Sequence, residues 1–220
     1  MTPKEIYDDQ FVNIISLSGG KDSTALLLRA IELDVEYEAV FADTGHEHEE
    51  TYKYVDYLEE RLGIKIRRIK ADLTQRVLDK KKTVETKWRK DGVDEEIIQS
   101  ALDNLKPTGI PMLDLALWKG GFPSRRRQFC TQELKIIPMI EQVYEPIWDS
   151  GKEIIVWQGI RRSESKAREN AEEFEQLPDG YYAYRPLVEW TARDVFDMHK
   201  KHDVEPNPLY KLGMNRAGGM

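Results

Sequence analysis

The chain alternates short apolar runs with longer stretches whose apolar residues recur at helical spacing. Phe11-Val12-Asn13-Ile14-Ile15-Ser16-Leu17 is a mostly apolar run stopped by glycines, and Ser23 to Leu33 then carries leucines and alanines at helical spacing. The pattern predicts strand, tight loop, helix. Glu38 to Asp43 predicts a second buried strand. Glu49 to Leu62 predicts an amphipathic helix with Tyr54, Leu58 and Leu62 on one stripe, ended by Gly63, and Ile64 to Ala71 predicts a third strand. The natural solution for a β-α-β-α-β succession is a parallel sheet flanked by helices.

From about Leu73 to Phe129 this rhythm breaks. A lysine-rich stretch comes first, then a predicted helix at Glu95 to Leu105, then a turn-rich run around Pro107, Pro111, Gly120, Gly121 and Pro123. The segment from about 73 to 129 reads as an insertion able to cover a site. Glu133 to Tyr144 predicts a helix, Glu153 to Gln158 a strand, Ala183 to Val188 a short last strand, and Thr191 to His202 a helix capped by Thr191. The expected fold is α/β: a single domain over residues 1–220, with an open, mostly parallel five-stranded sheet and helices on both faces.

Composition narrows the function classes. A chain of 220 residues, 40% hydrophobic and 33% charged, suits one globular core with an appendage. A net charge of −7 argues against a surface coated in phosphate contacts. Arg125-Arg126-Arg127 has no interleaved aromatic platform and reads as solvated surface, so nucleic acid is not indicated. No apolar run approaches the roughly 18 residues of a membrane span. Met1-Thr2-Pro3-Lys4-Glu5 lacks the apolar core of a signal peptide, and a cytoplasmic location is expected. The single cysteine, Cys130, cannot form an internal disulfide or by itself supply a closed zinc or iron–sulfur site; it reads as a small buried hydrophobe. Homo-oligomerisation stays open.

Ser18-Gly19-Gly20-Lys21-Asp22-Ser23 carries the most chemistry. Two glycines after a buried strand let the backbone turn its N–H groups toward an anion, and the following helix adds its positive end. Lys21 brings a mobile charge, Ser18 and Ser23 bring hydroxyls, and Asp22 is placed to hold the loop or a metal. The spacing is not that of a Walker loop. An ordinary strand-to-helix turn would also carry Gly-Gly, but here strand, helix, flanking serines and placement in the first β-α unit coincide. Asp43-Thr44-Gly45 ends the second strand, at the switch point where open α/β sheets bind ligands; a carboxylate there can contact magnesium or a ribose hydroxyl, or simply form a turn. Gly159 to Arg168 crowds Arg161, Arg162 and Arg168 into one turn-rich span, with Glu164 and Ser165 placed to orient them. Arg161 and Arg168 are the candidates for phosphate or sulfate oxygens. His46 and His48 read as part of a solvated turn rather than a metal pair.

The run Ser16-Leu17-Ser18-Gly19-Gly20-Lys21-Asp22-Ser23 resembles the PP-loop of the adenine nucleotide α-hydrolase superfamily. The resemblance extends through Phe41-Ala42-Asp43-Thr44-Gly45, Cys130-Thr131-Gln132-Glu133-Leu134-Lys135, Gly159-Ile160-Arg161-Arg162-Ser163-Glu164-Ser165 with Arg168, and Asn207-Pro208-Leu209-Tyr210. Its nearest branch is the phosphoadenosine phosphosulfate (PAPS) reductase-like one. The resemblance implies ATP or PAPS as the ligand, held by Ser16, Ser18, Gly19, Gly20, Lys21, Asp22, Ser23, Asp43, Thr44, Lys135, Gly159 and Arg161. Lys21, Arg161 and Arg168 would act on the phosphates, with magnesium at Asp22 and Asp43.

Two departures from the family pattern bear on the reaction. PAPS reductases carry a cysteine near the C-terminus in a Glu-Cys-Gly-type motif, absent here, and typically a degenerate first loop, whereas Lys21 and Asp22 look like the ATP-cleaving branch. Relatives also continue past Asn215-Arg216 into cysteines that ligate an iron–sulfur cluster together with one like Cys130; here Gly219 stands at the first of those positions, and no cluster is expected. The leading expectation is cleavage of ATP between the α- and β-phosphates, with adenylation of an unknown acceptor. The alternatives are a sulfonucleotide reductase using a thiol from a partner or a missing tail, and a nucleotide-binding regulatory subunit without turnover.

Overall fold

A computed structural model describes residues 2–124, 126–178 and 180–217. Arg125 and Gly219, weighed above, lie outside the described residues. The chain divides into two compact units, one made of Met1–Ala42, Glu47–Ile69 and Glu141–Met220, the other of Asp43–His46 and Lys70–Ile140.

The first unit is built on a sheet of six strands. These are β1 (Phe11–Leu17), β2 (Tyr37–Asp43), β3 (Ile66–Lys70), β4 (Glu153–Trp157), β5 (Phe174–Gln176) and β6 (Tyr182–Tyr184), in the order β3-β2-β1-β4-β6-β5. Ile15 lies opposite Ala39, Ile14 opposite Val156, and Val156 opposite Ala183, all in parallel pairs. The expectation of five strands is corrected to six. β5 joins the edge antiparallel to β6, with Glu175 opposite Ala183, and its three residues are too few and too polar to announce a strand.

β1 buries Ile14, Ile15 and Leu17, as a strand covered on both faces must. Its one buried amide, Asn13, is fully engaged. Nδ2 donates to Ile6 O at 2.8 Å and Glu36 O at 2.9 Å, and Oδ1 accepts from Trp157 Nε1 at 2.9 Å. Helix α1 (Lys21–Glu32) buries Leu26, Leu27 and Leu28 completely, each contributing about 1.5–3 kcal/mol. Helix α2 (Glu49–Leu62) begins with His48 accepting from Glu50 N through Nδ1 at 3.1 Å and ends at left-handed Gly63.

The second unit is helical. The lysine-rich stretch forms α3 (Thr74–Thr83) followed by a π-helical segment, Val84–Trp88, because Val77 and Val84 recur at helical spacing and bury against Ile98, Leu102 and Leu105. The last three lie on or just past α4 (Glu95–Asn104). The turn-rich run contains a helix, α5 (Pro111–Lys119), entered by a proline at its first position. Asp114 holds that start: Oδ1 accepts from Thr108 N and Oγ1 at 2.7 and 2.8 Å, and Oδ2 from Gly109 N at 3.1 Å. Half-buried Cys130 packs against the cluster of Ala71, Leu73, Met112, Leu115 and Leu134.

The helix expected at Glu133 to Tyr144 is split. α6 (Phe129–Thr131), α7 (Ile137–Met139) and α8 (Glu145–Asp149) alternate with π-helical segments at Gln132–Ile136 and Ile140–Tyr144. Pro138 and Pro146 each remove one N–H from the regular ladder there. In the first unit α9 (Ala192–Lys201) begins at Thr191, which forms a reciprocal capping box with Asp194, and a short 3-10 turn at Pro208–Tyr210 follows it. Among the described residues no helix is long and apolar enough to cross a membrane.

A candidate phosphate-binding site

Between Leu17 at the end of β1 and Lys21 at the start of α1 the chain turns in three residues. Gly19 takes φ +71°, and a Cβ there would stand 2.7 Å from Thr51 Cγ2, so both conformation and space demand glycine. Ser23 staples the loop from within. Its Oγ accepts from Ser18 N at 3.2 Å and donates to Gly20 O at 3.0 Å, and Thr24 N reaches the same carbonyl at 3.0 Å. Asp22 N and Ser23 N, in the first turn of α1, have no hydrogen-bond partner among the described residues. Unpaired first-turn N–H groups at the positive end of a helix dipole make an anion site.

The charged residues form a chain. Lys21 Nζ donates to Asp22 Oδ2 at 2.6 Å, and Asp22 Oδ1 accepts from Arg161 Nε at 2.6 Å. Arg161 is 5% exposed and also reaches Ser163 Oγ at 3.3 Å. It braces Asp22 and does not line the cavity over the loop. Gly159 makes this approach possible: a Cβ there would lie 3.1 Å from Asp22 O. Arg168 pairs with Glu164.

A cavity of about 210 Å³ opens over the loop. It is lined by Ser18, Gly20, Lys21, Asp22, Ser23, Glu164 and Arg168, together with Tyr210, Asn215, Arg216 and Ala217. Three cations face two carboxylates there, beside the helix N-terminus. Arg216 makes no ion pair among the described residues, and neither it nor Tyr210 was singled out by its local pattern; the only signal was membership of a motif without an assigned role. Ser16 is exposed on β1 and does not line the cavity.

Asp43, Thr44 and Lys135 belong to the second unit. There Asp43 Oδ1 accepts from Gly45 N at 2.7 Å, and Thr44 O accepts from Met112 N at 3.0 Å. Both Asp22 carboxylate oxygens are engaged by cations, Oδ2 by Lys21 and Oδ1 by Arg161. Among the described residues no group of three His, Cys, Asp or Glu side chains could hold a metal.

The phosphoadenosine phosphosulfate reductase domain family matches residues 12–220, and the chain belongs to that family. It is 44% identical over 232 residues to an uncharacterized 37.8 kDa protein of Escherichia phage 186, covering 100% of this chain and 69% of that protein. It is 22% identical over 208 residues to a phosphoadenosine 5'-phosphosulfate reductase of Buchnera aphidicola, covering 93% of this chain and 68% of the other. In fold it is similar to a PAPS reductase from Candida auris, with TM-score 0.58 and 19% identity over 94% of this chain and 80% of that one. It is also similar to an FMN adenylyltransferase from Candida glabrata, with TM-score 0.52 and 11% identity over 99% and 59% of the two chains.

Proposed function

We propose that the chain binds an adenine nucleotide through its phosphates at the α1 N-terminus and cleaves ATP between the α- and β-phosphates. An acceptor nucleophile attacks the α-phosphorus, the bond to the bridging oxygen breaks, and pyrophosphate leaves with the electron pair. The observation that carries this reading is the pair of unpartnered N–H groups, Asp22 and Ser23, beside Lys21 in the cavity. In this reading those donors and the Lys21 ammonium hold the leaving pyrophosphate, and fixed donors stabilise the charge that grows on it without reorganising. Arg168 and Arg216 supply further positive charge at the cavity wall, while Arg161 keeps Asp22, and through it Lys21, in place.

A second reading, favoured by the family match, is a sulfonucleotide reductase that takes its reducing thiol from outside this chain. One assay separates the two. The purified protein is incubated with ATP and magnesium beside a Lys21→Ala control, with ATP and PAPS binding measured in parallel. AMP and pyrophosphate from the wild type but not from the control are expected. PAPS binding without ATP cleavage transfers the case to the reductase, and binding of either nucleotide without turnover to a regulatory subunit.

A further inference from the structure

The phosphate loop is held by three residues far along the chain. Asn207 Nδ2 donates to Gly19 O at 3.0 Å, His199 Nε2 lies 2.9 Å from Lys21 O, and Tyr210 Oη accepts from Lys21 N at 3.0 Å. Asn207 and His199 are 0% and 1% exposed. Because a carbonyl only accepts, the His199 proton on that contact sits on Nε2. His199 Nδ1 faces a second carbonyl, Val204 O, at the longer distance of 3.3 Å.

Peptide geometry gives these contacts a consequence. The carbonyl of Lys21 and the N–H of Asp22 belong to one trans peptide plane and point in opposite directions. Holding Lys21 O on one side therefore keeps Asp22 N–H on the other, and holding Gly19 O likewise keeps Gly20 N–H turned inward, where it donates to Ser18 Oγ at 3.4 Å. Asp22 N–H is one of the two unpartnered donors of the site. Within α1 the Lys21 carbonyl already points down the helix, so the direction of the Asp22 N–H is the helix's own; His199 on α9 adds a second hold on that carbonyl, and Asn207, beside the turn at Pro208–Tyr210, holds Gly19 O.

We propose that His199 and Asn207 are positioning residues for phosphate recognition, holding the loop and the first turn of α1 in the one conformation that leaves the Asp22 N–H free for the anion before it arrives. The inference rests on the phosphate reading of the site. Neither side chain lines the cavity, so both act through the backbone they hold. Tyr210 does line it, and its hydroxyl caps Lys21 N from the open side.

The test compares His199→Phe, which keeps a ring but loses the donor, with His199→Gln, whose amide nitrogen can replace Nε2. Asn207→Asp, which loses Nδ2 but keeps the Oδ1 acceptor for Leu209 N, makes the same comparison at Gly19. Each variant is read by residue-resolved amide exchange without ligand and by titration with inorganic pyrophosphate. His199→Phe is expected to speed exchange at Lys21 and Thr24, whose amides are bonded in the loop, and to weaken pyrophosphate binding about tenfold, with the β4 core amides unchanged and both effects restored by His199→Gln. Asn207→Asp is expected to act in the same way at Gly20. Unchanged loop exchange and affinity in His199→Phe would overturn the proposal, as would acceleration throughout β4 that Gln does not rescue, which marks a merely structural role. If the wild type takes no pyrophosphate, the phosphate reading fails and the ligand half of this inference with it; the holding of the loop then stands or falls by the Lys21 and Thr24 amides alone.

Discussion

The two ends of β1 open onto two cavities of opposite chemistry. At its amino end, a cavity of about 350 Å³ is lined by Asp8, Asp9, Asp34, Glu36 and Glu38, with Lys152 as the only cation among its lining residues. At its carboxyl end, the smaller cavity of about 210 Å³ gathers Lys21, Arg168 and Arg216 around the N-terminus of α1. The larger space, with five carboxylates to one cation, repels an anion. The smaller one offers directed N–H groups and mobile charge. Parallel strands make this asymmetry, since every connection that returns to the sheet starts its helix at the carboxyl ends. Size therefore says less about function here than the direction of the helix dipole.

The comparison breaks most readily at Lys21. Lys21→Ala is expected to weaken pyrophosphate binding about 100-fold, the scale of losing a charge-assisted contact, while Glu36→Gln in the opposite cavity leaves it unchanged. Titration calorimetry at two salt concentrations reads both, and the wild-type affinity should fall as salt rises. Equal losses in the two variants would mean that the ends do not differ as described. The next effect is conformational. Gly19→Ala puts a Cβ at φ +71° and 2.7 Å from Thr51 Cγ2, and urea unfolding should show a loss of about 2 kcal/mol.

Much of this end of the sheet was legible in the sequence. The apolar run of β1, the glycines and the helical spacing of α1 are local signals, and α2 was bounded at Glu49 and Leu62 by its periodicity and Gly63. Lys21 could be placed for the same reason. What could not be read was contact made across the chain. His199 and Asn207 meet the loop over separations of 178 and 188 residues, and neither carries a periodic signature of that contact. The burial of Arg161 against Asp22 could not be read either, because it depends on Gly159 letting two backbones approach. β5 was missed because its three residues are a strand only by virtue of β6 beside them.

Gly159→Ala sharpens the role of that close approach. The added methyl would meet Asp22 O at 3.1 Å and Asp22 C at 3.2 Å, both backbone atoms that cannot swing away. A loss of about 1.5 kcal/mol in urea unfolding is expected, with weaker pyrophosphate binding because the first turn of α1 must shift. Destabilisation with unchanged pyrophosphate affinity would show that the Arg161–Asp22 brace is structural only.

The smallest expected effect lies at the other end of α1. Glu32 Oε1 meets Lys201 Nζ and accepts from His202 Nε2 at 3.0 Å, and Oε2 accepts from Arg29 at 3.1 Å. Burial alone would raise its carboxyl, but the bonds from Lys201, His202 and Arg29 outweigh that and bring it from 4.5 down to about 2. A carboxylate bound more weakly by protons in the folded than in the unfolded state stabilises above the unfolded value, and that contribution is lost as pH falls from about 4.5 toward 2. His199 loses stability over a different window. Burial first of all, only partly offset by its two backbone contacts, holds it below its ordinary 6.5, so acid costs stability from that pH downward as the unfolded chain takes up its proton. Glu32→Gln should therefore flatten the lower part of the stability curve and leave the step beginning near 6.5 in place. The loss at neutral pH should be about 1 kcal/mol, small because Lys201 is largely exposed. Unfolding curves collected from pH 7 to 3 distinguish the windows, and a variant that flattened the upper step instead would show that the acid sensitivity of α1 resides at its phosphate end.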